Sequence, residues 1–309
     1  MPVNTKILII TALLFMYFGA SAGVNNTNTS TKNTQQNIDS TSATPSGGST
    51  FIKKTEEVEG ISDTITSTKR KIQAPADSSW WVRNIDSPSF HLGERLEFSV
   101  KYGRLPAGSA VMEISDTATS DDHLCYRVVS TASSNDFVSV FYKVRDTVET
   151  YIDIPGIFPR KFIKHLREGN YRMDRITTFD QRRHLAITGN DTVPTYKFVQ
   201  DPLSSLYYLR TQQLIPGKDV LIDNHTDKKN YLLKVIIYRK ERIEVPAGTF
   251  DCVVIEPVMR AEGIFKAKGR IWIWLTDDEY KMPVMMKSEV YFLGSVSAQL
   301  SSYRHGKAG

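Results

Sequence analysis

Asp277 and Asp278 stand side by side, a short way after Trp272 and Trp274. Carboxylates beside indole rings are the ingredients of a sugar site, where the acids do the chemistry and the rings stack on the sugar. The same dipeptide is ordinary turn chemistry: an aspartate accepts hydrogen bonds from the backbone that follows it, or pairs with a neighbour such as Lys281. Adjacent carboxylates in a turn diverge, which favours the turn over a two-acid catalytic geometry. A second set is Asp146, Arg175 and Arg210, three charged residues on otherwise apolar faces. A buried charge is unfavourable unless it is paired. The set is therefore expected to form an ion-pair network between sheet and helix. Its functional alternative is an arginine, Arg210 first, that meets the anionic head of a ligand whose tail lies in the concavity of the sheet.

Other chemistry is weakly signalled. The six histidines are scattered, none near another at metal-ligand spacing, so no metal site is expected. No nucleophile elbow, P-loop or dinucleotide fingerprint occurs, so no catalytic residue and no cofactor is assigned. Cys125 and Cys252 are the only cysteines, each within an expected strand. They read as separately buried small apolar side chains rather than as a disulfide framework. The formal net charge of +5 over 309 residues is mild, and the cations are interspersed with acids. That pattern points away from a nucleic-acid partner.

The residues that could do chemistry are positioned by strands. Leu96, Phe98, Val100 and Tyr102 share one face of Glu94–Tyr102, and Ala110, Met112 and Ile114 point inward from Ser109–Asp116. A turn at Gly103–Gly108 makes these two a hairpin. Further strands are expected at His123–Ala132, Lys143–Asp153, Phe158–Arg167, Tyr171–Asp180, Leu185–Thr188, Val220–Asp223, Tyr231–Arg239, Arg242–Val245, Thr249–Pro257, Gly263–Leu275, Pro283–Leu293 and Ser295–Tyr303. Asp146 falls among Tyr142, Val144, Val148, Thr150 and Ile152, and Arg175 among Tyr171, Met173, Thr177 and Phe179. Near the end of Gly263–Leu275, Ile271, Ile273 and Leu275 point one way, Trp272 and Trp274 the other.

One helix is expected, Pro202–Leu214. Asp201 suits its N-cap, Pro202 its first position, and Leu203, Leu206, Tyr207, Arg210 and Leu214 form its stripe. So many strands with one internal helix predict a mainly β protein. Its form is a single large curved antiparallel sheet, an open barrel or clam, with the helix covering the concave face. Outward positions rich in Lys, Arg and Glu argue against an outer-membrane barrel.

The N-terminal part differs in composition. Lys6, the apolar run Ile7–Phe18 and the small residues Ala20-Ser21-Ala22 have the layout of a secretory signal peptide over residues 1–22. A retained N-terminal membrane anchor is the alternative, although the run is short for a span. Residues 23–79, rich in Ser, Thr, Asn and Gln, have too little apolar area to offset their ordering entropy and read as a disordered linker. Residues 80–309, from Trp80-Trp81 onward, form the β-rich exported domain.

Several of these residues carry a resemblance. Phe90-His91-Leu92-Gly93-Glu94-Arg95-Leu96, followed by Tyr102-Gly103 and Ala107-Gly108, resembles the opening of the domain-of-unknown-function 3108 family of exported bacterial proteins. Leu206-Tyr207-Tyr208-Leu209-Arg210, Ala247-Gly248-Thr249-Phe250-Asp251-Cys252 and Ile273-Trp274-Leu275-Thr276-Asp277-Asp278 before Pro283-Val284 are similar to its later landmarks. The resemblance covers roughly Phe90 to Tyr303 and implies an envelope location and a curved β-sheet body; it carries no established reaction.

The expectation is then a non-catalytic protein of the bacterial periplasm, not integral to the membrane once cleaved. It binds an apolar or amphiphilic envelope component, lipid-like or glycan, on the concave face, with Arg210, Asp146, Arg175, Trp272 and Trp274 as candidate contacts. A carbohydrate-active enzyme using Asp277 or Asp278 is one alternative. An assembly or scaffold subunit is another, which an exposed apolar patch or an unpaired edge strand would favour.

Overall fold

The structure, a computed structural model, describes residues 83–86, 89–260, 270–290 and 294–307. The expected leader and linker, the Trp80-Trp81 pair, and parts of the expected strands Gly263–Leu275 and Pro283–Leu293 lie outside the described residues.

Alternating apolar residues produce strands in near-unbroken succession. They are β1 (Arg95–Tyr102), β2 (Leu105–Ser120), β3 (His123–Ser134), β4 (Arg145–Asp153), β5 (Pro159–Glu168), β6 (Tyr171–Asp180), β7 (Leu185–Thr188) and β8 (Asp191–Pro194). Then follow β9 (Val220–Thr226), β10 (Lys229–Val245), β11 (Gly248–Arg260), β12 (Arg270–Thr276), β13 (Pro283–Val290) and β14 (Gly294–Arg304). Two helices interrupt them: α1 (Asp136–Ser139), between β3 and β4, and α2 (Pro202–Arg210), between β8 and β9. All 14 strands join one antiparallel sheet in the order β8-β7-β6-β5-β4-β3-β2-β1-β14-β13-β12-β11-β10-β9. The protein is mainly β, as the alternation requires.

The sheet curls. Register shifts at Glu97/Phe98, Ile114/Asp116, Tyr151/Ile152, Ile237/Arg239 and Trp274/Leu275 bend and twist the strands that carry them. Curling brings distant strands together: Lys164 of β5 and Arg175 of β6 both pair with Asp227, in the turn after β9 at the far edge of the sheet. Between the outer strands β8 and β9 the seam is closed without a ladder. Gln200 forms a parallel bridge to Asn224, Asn230 Nδ2 donates to the Pro194 carbonyl at 2.6 Å, and Lys228 pairs with Asp191.

Helix α2 is buried along almost its whole length. Asp201 is its N-cap and Ser204 completes a capping box, while Pro202 opens the first turn. Fully buried Asp201 also accepts from Thr150 Oγ1 on β4, which fixes the helix against the sheet. No helix among the described residues is long and apolar enough to cross a membrane.

Several sequence expectations need correction; among them, the turn expected at Gly103–Gly108 is shorter, because β2 already begins at Leu105. The helix stops at Arg210 rather than Leu214; Leu214 is buried in the irregular chain that follows, so its place in the stripe does not reflect helix. A second, four-residue helix, α1, is present. Tyr231–Arg239 and Arg242–Val245 are one strand, β10, because the bulge at Ile237/Arg239 shifts the alternation and makes an exposed polar run resemble a turn. Strand β8 was not expected; its burial pattern has no inward apolar period to reveal it.

Candidate functional site

Among the described residues, α2 and the strands facing it line a partly open cavity of about 50 Å³. That is several times the ~10–15 Å³ one water needs. Strand register explains its walls, because residues opposite each other across antiparallel strands share a face. The pairs Asn224–Tyr231 and Ile222–Leu233 come from β9 and β10, Val235–Pro257 from β10 and β11, and the row Ile255–Ile273–Met286 from β11, β12 and β13. Ile271 and the helix residues Pro202, Ser205, Leu206 and Leu209 complete the lining. Ser205, Asn224 and, through its hydroxyl, Tyr231 carry the polar groups of the lining. Asn224 Nδ2 donates to the Asp201 carbonyl and to Ser205 Oγ, whereas its buried Oδ1 has no hydrogen-bond partner. The wall is therefore apolar with one unused acceptor.

Arg210 does not face this cavity. It is fully buried, with Nη1 and Nη2 donating to the two carboxylate oxygens of Glu94 at 2.7 and 2.6 Å. Nη2 also reaches the Ser89 carbonyl at 2.7 Å, and Nε the Tyr280 carbonyl at 3.0 Å. The rings of Phe90 and Tyr207 lie 5.3 and 5.2 Å from its guanidinium carbon. Burial alone would push this guanidinium down, but the Glu94 carboxylate outweighs it and holds the net shift upward. Arg210 ties the C-terminal end of α2 to the chain entering β1, and its donors are committed within the protein.

Asp146 and Arg175 belong to two other clusters, so the expected three-residue network does not form. Asp146 accepts from the Arg167 backbone N–H at 2.7 Å, and its buried Oδ2 makes no hydrogen bond of good geometry. It lies against Glu168, another buried carboxyl. Burial pushes both upward, and the charge of Asp146 pushes Glu168 further, to about 8. Both causes favour a proton held between the two carboxyls. Arg175 shares Asp227 with Lys164, whose ammonium burial pushes down despite that partner.

Trp272 and Trp274 do not line the cavity either; Ile271 and Ile273 do, from the opposite face of β12. The Arg270 guanidinium covers Trp272 at 4.8 Å, and Trp274 Nε1 donates to Glu241 at 2.6 Å. The acidic pair is used by its own turn. Asp278 Oδ1 accepts from Thr276 Oγ1 at 2.6 Å and from the backbone N–H groups of Tyr280 and Lys281, both at 3.0 Å. Asp277 pairs with Lys240 at 2.7 Å rather than with Lys281. No group of three or more His, Cys, Asp or Glu side chains among the described residues is placed to hold a metal ion. Cys125 and Cys252 are separate, buried thiols, pushed up to about 11 and about 12, foremost by burial.

Sequence reasoning missed Asn224. Its signal was the one that exposed Asp146: a polar residue in phase with an inward apolar position, here Ile222 two residues earlier. The expected strand ended at Asp223, just before Asn224 and three residues short of the observed end at Thr226.

A family model described as a protein of unknown function, DUF3108, matches residues 97–301. Among solved structures, a beta-barrel-like protein of domain of unknown function DUF1849 from Brucella abortus is similar in fold, with a TM-score of 0.51 and 10% identity. The match covers 71% of this chain and 100% of that one. A candidate exported protein with a YmcC-like fold from Bacteroides fragilis aligns at a TM-score of 0.33 and 12% identity, over 72% of this chain and 100% of that one. No curated protein matches the sequence.

Proposed function

The chain belongs to the DUF3108 family of proteins of unknown function, and for this member we propose a non-catalytic binding role in the cell envelope. It takes an apolar or amphiphilic molecule by its chain into the cavity between α2 and β9–β13. The observation that carries this reading is the lining: aliphatic and aromatic side chains from five strands and a helix, with Ser205, Asn224 and the Tyr231 hydroxyl as the polar exceptions. Walls so largely apolar offer water few partners, and an apolar chain regains the dispersion contacts a void forfeits. The acceptor Asn224 Oδ1 selects a ligand with one donor, such as a hydroxyl or an amide N–H, near the buried part of its chain. The export part of the reading rests on the leader pattern of Lys6, Ile7–Phe18 and Ala20-Ser21-Ala22. The carbohydrate-active alternative loses its motive, because Asp278 holds its own turn and Asp277 pairs with Lys240.

The test is native mass spectrometry of protein purified from its own envelope, with titration of a fluorescent fatty alcohol into delipidated protein. A retained lipid-like mass and saturable binding are expected, and Val235→Phe, which fills the cavity, should weaken that binding at least tenfold while the protein stays folded. Binding unchanged in Val235→Phe, or none in the wild type, would overturn the reading.

A further inference from the structure

The strands end in two sets of turns, and the set containing the β1–β2 turn carries an apolar knuckle. Leu105, Phe137, Val140 and Phe141 are 62%, 69%, 78% and 69% exposed. Single exposed apolar residues are normal, but four large ones gathered on adjoining turns mark a binding surface. The Phe137 and Phe141 rings meet edge to face at 6.0 Å. The knuckle is held rigidly. Asn135 Oδ1 caps Val138 N at 2.9 Å, Asn135 Nδ2 donates to the Pro106 carbonyl at 2.9 Å, and Asn135 N donates to the Ala107 carbonyl at 2.9 Å. Its exposed side chains are presented by fixed backbone, so docking them orders little.

Exposed cations surround it: Arg104 beside Leu105, Lys143 and Arg145 after Phe141, and Arg172 at the start of β6, just past the neighbouring β5–β6 turn. Asp136 is the one exposed acid on these turns. Arg145 donates to the Ser134 and Val144 carbonyls and Arg172 to the Gly169 and Tyr171 carbonyls. None of the four cations has a carboxylate ion-pair partner among the described residues.

We propose that this end of the sheet docks on an anionic lipid surface, with Leu105, Phe137, Val140 and Phe141 entering the acyl boundary and the cations meeting lipid phosphates. Aromatic and aliphatic tips ringed by Lys and Arg are what an anionic interface selects. A stable protein interface needs about 800 Å² from each partner and has few charges at its core, which a four-residue knuckle set among cations does not supply. The inference stands apart from the cavity: it concerns a surface the cavity does not include, and either reading can fail alone.

The test uses the full chain carrying Val140→Cys, labelled with an environment-sensitive fluorophore; Cys125 and Cys252 are buried and do not compete. A second protein carries the label at Glu279→Cys, in the exposed turn at the opposite end of the strands. With vesicles containing phosphatidylglycerol, the label at position 140 should shift to the blue and the label at 279 should not. Adding Arg104→Gln or Lys143→Gln should weaken binding about fivefold each, and Phe137→Ser with Phe141→Ser should abolish the shift. No shift at 140, or equal shifts at both ends, would overturn the proposal. So would a shift at 140 that grows with protein concentration in the absence of vesicles, because the knuckle would then be an interface between copies.

Discussion

Two parts of the same curled sheet have opposite interiors. Toward β9–β13 the inward positions are Ile222, Leu233, Val235, Ile255 and Ile273, and a cavity remains beneath α2. Toward β4 and β5 the buried positions include Asp146, Thr150, Asp153, Arg160, Lys164 and Glu168. The difference teaches what each wall tolerates. A largely apolar wall can face a void, because few of its atoms need a partner; Asn224 Oδ1 is the exception. A charged wall must find partners: Arg160 Nη2 reaches Asp153 at 2.8 Å within it, and Lys164 reaches across to Asp227, in the turn after β9, at 2.6 Å. The proposed binding reading therefore rests on the apolar part, while the buried charges of the other part have partners within the protein.

The largest effect should come from the tie at the foot of α2. Arg210→Ala leaves Glu94 buried without its partner and should cost about 3–5 kcal/mol in urea unfolding. A loss below about 1 kcal/mol, with ligand binding lost, would return Arg210 to the candidate site and erase the contrast between the two parts.

A smaller effect sharpens the contrast through pH. Glu168 holds its proton more tightly in the folded protein, at about 8, than the ordinary 4.5 of the unfolded chain. The stability it contributes is fully present below about 4.5 and is lost as pH rises through about 8. Glu168→Gln, which keeps the shape of the protonated acid, should flatten that slope. It should also be more stable than the wild type at pH 9 by about 1–3 kcal/mol. Coincident stability curves across that range would show that Asp146 and Glu168 do not share a proton.

The smallest effect concerns the exposed turn after β12. Lys240→Ala should change stability by less than about 0.5 kcal/mol, since its pair with Asp277 is solvent-exposed. A larger loss would mean that the acidic turn does more than close its own backbone.

Much of this was legible in the chain itself. Alternation along Leu96–Tyr102, Tyr142–Ile152 and Ile271–Leu275 is local, and it set the strands and the side of the sheet each residue faces. The Asp201-Pro202 start of α2 was legible for the same reason, since a cap is a contact between residues a few positions apart. The end of α2 was less so, because Leu214 is buried by the sheet and not by helical periodicity.

The sequence by itself determined a large antiparallel β protein with an internal capped helix and charges on inward faces. Which charge meets which was decided only by the tertiary structure. Arg210 and Glu94, or Arg175 and Asp227, are far apart in the chain and are paired by the curl of the sheet. The same curl turned Ile271 and Ile273, rather than Trp272 and Trp274, toward the cavity. Alternation separates two faces of a strand, but only closure of the sheet decides which of them is inside.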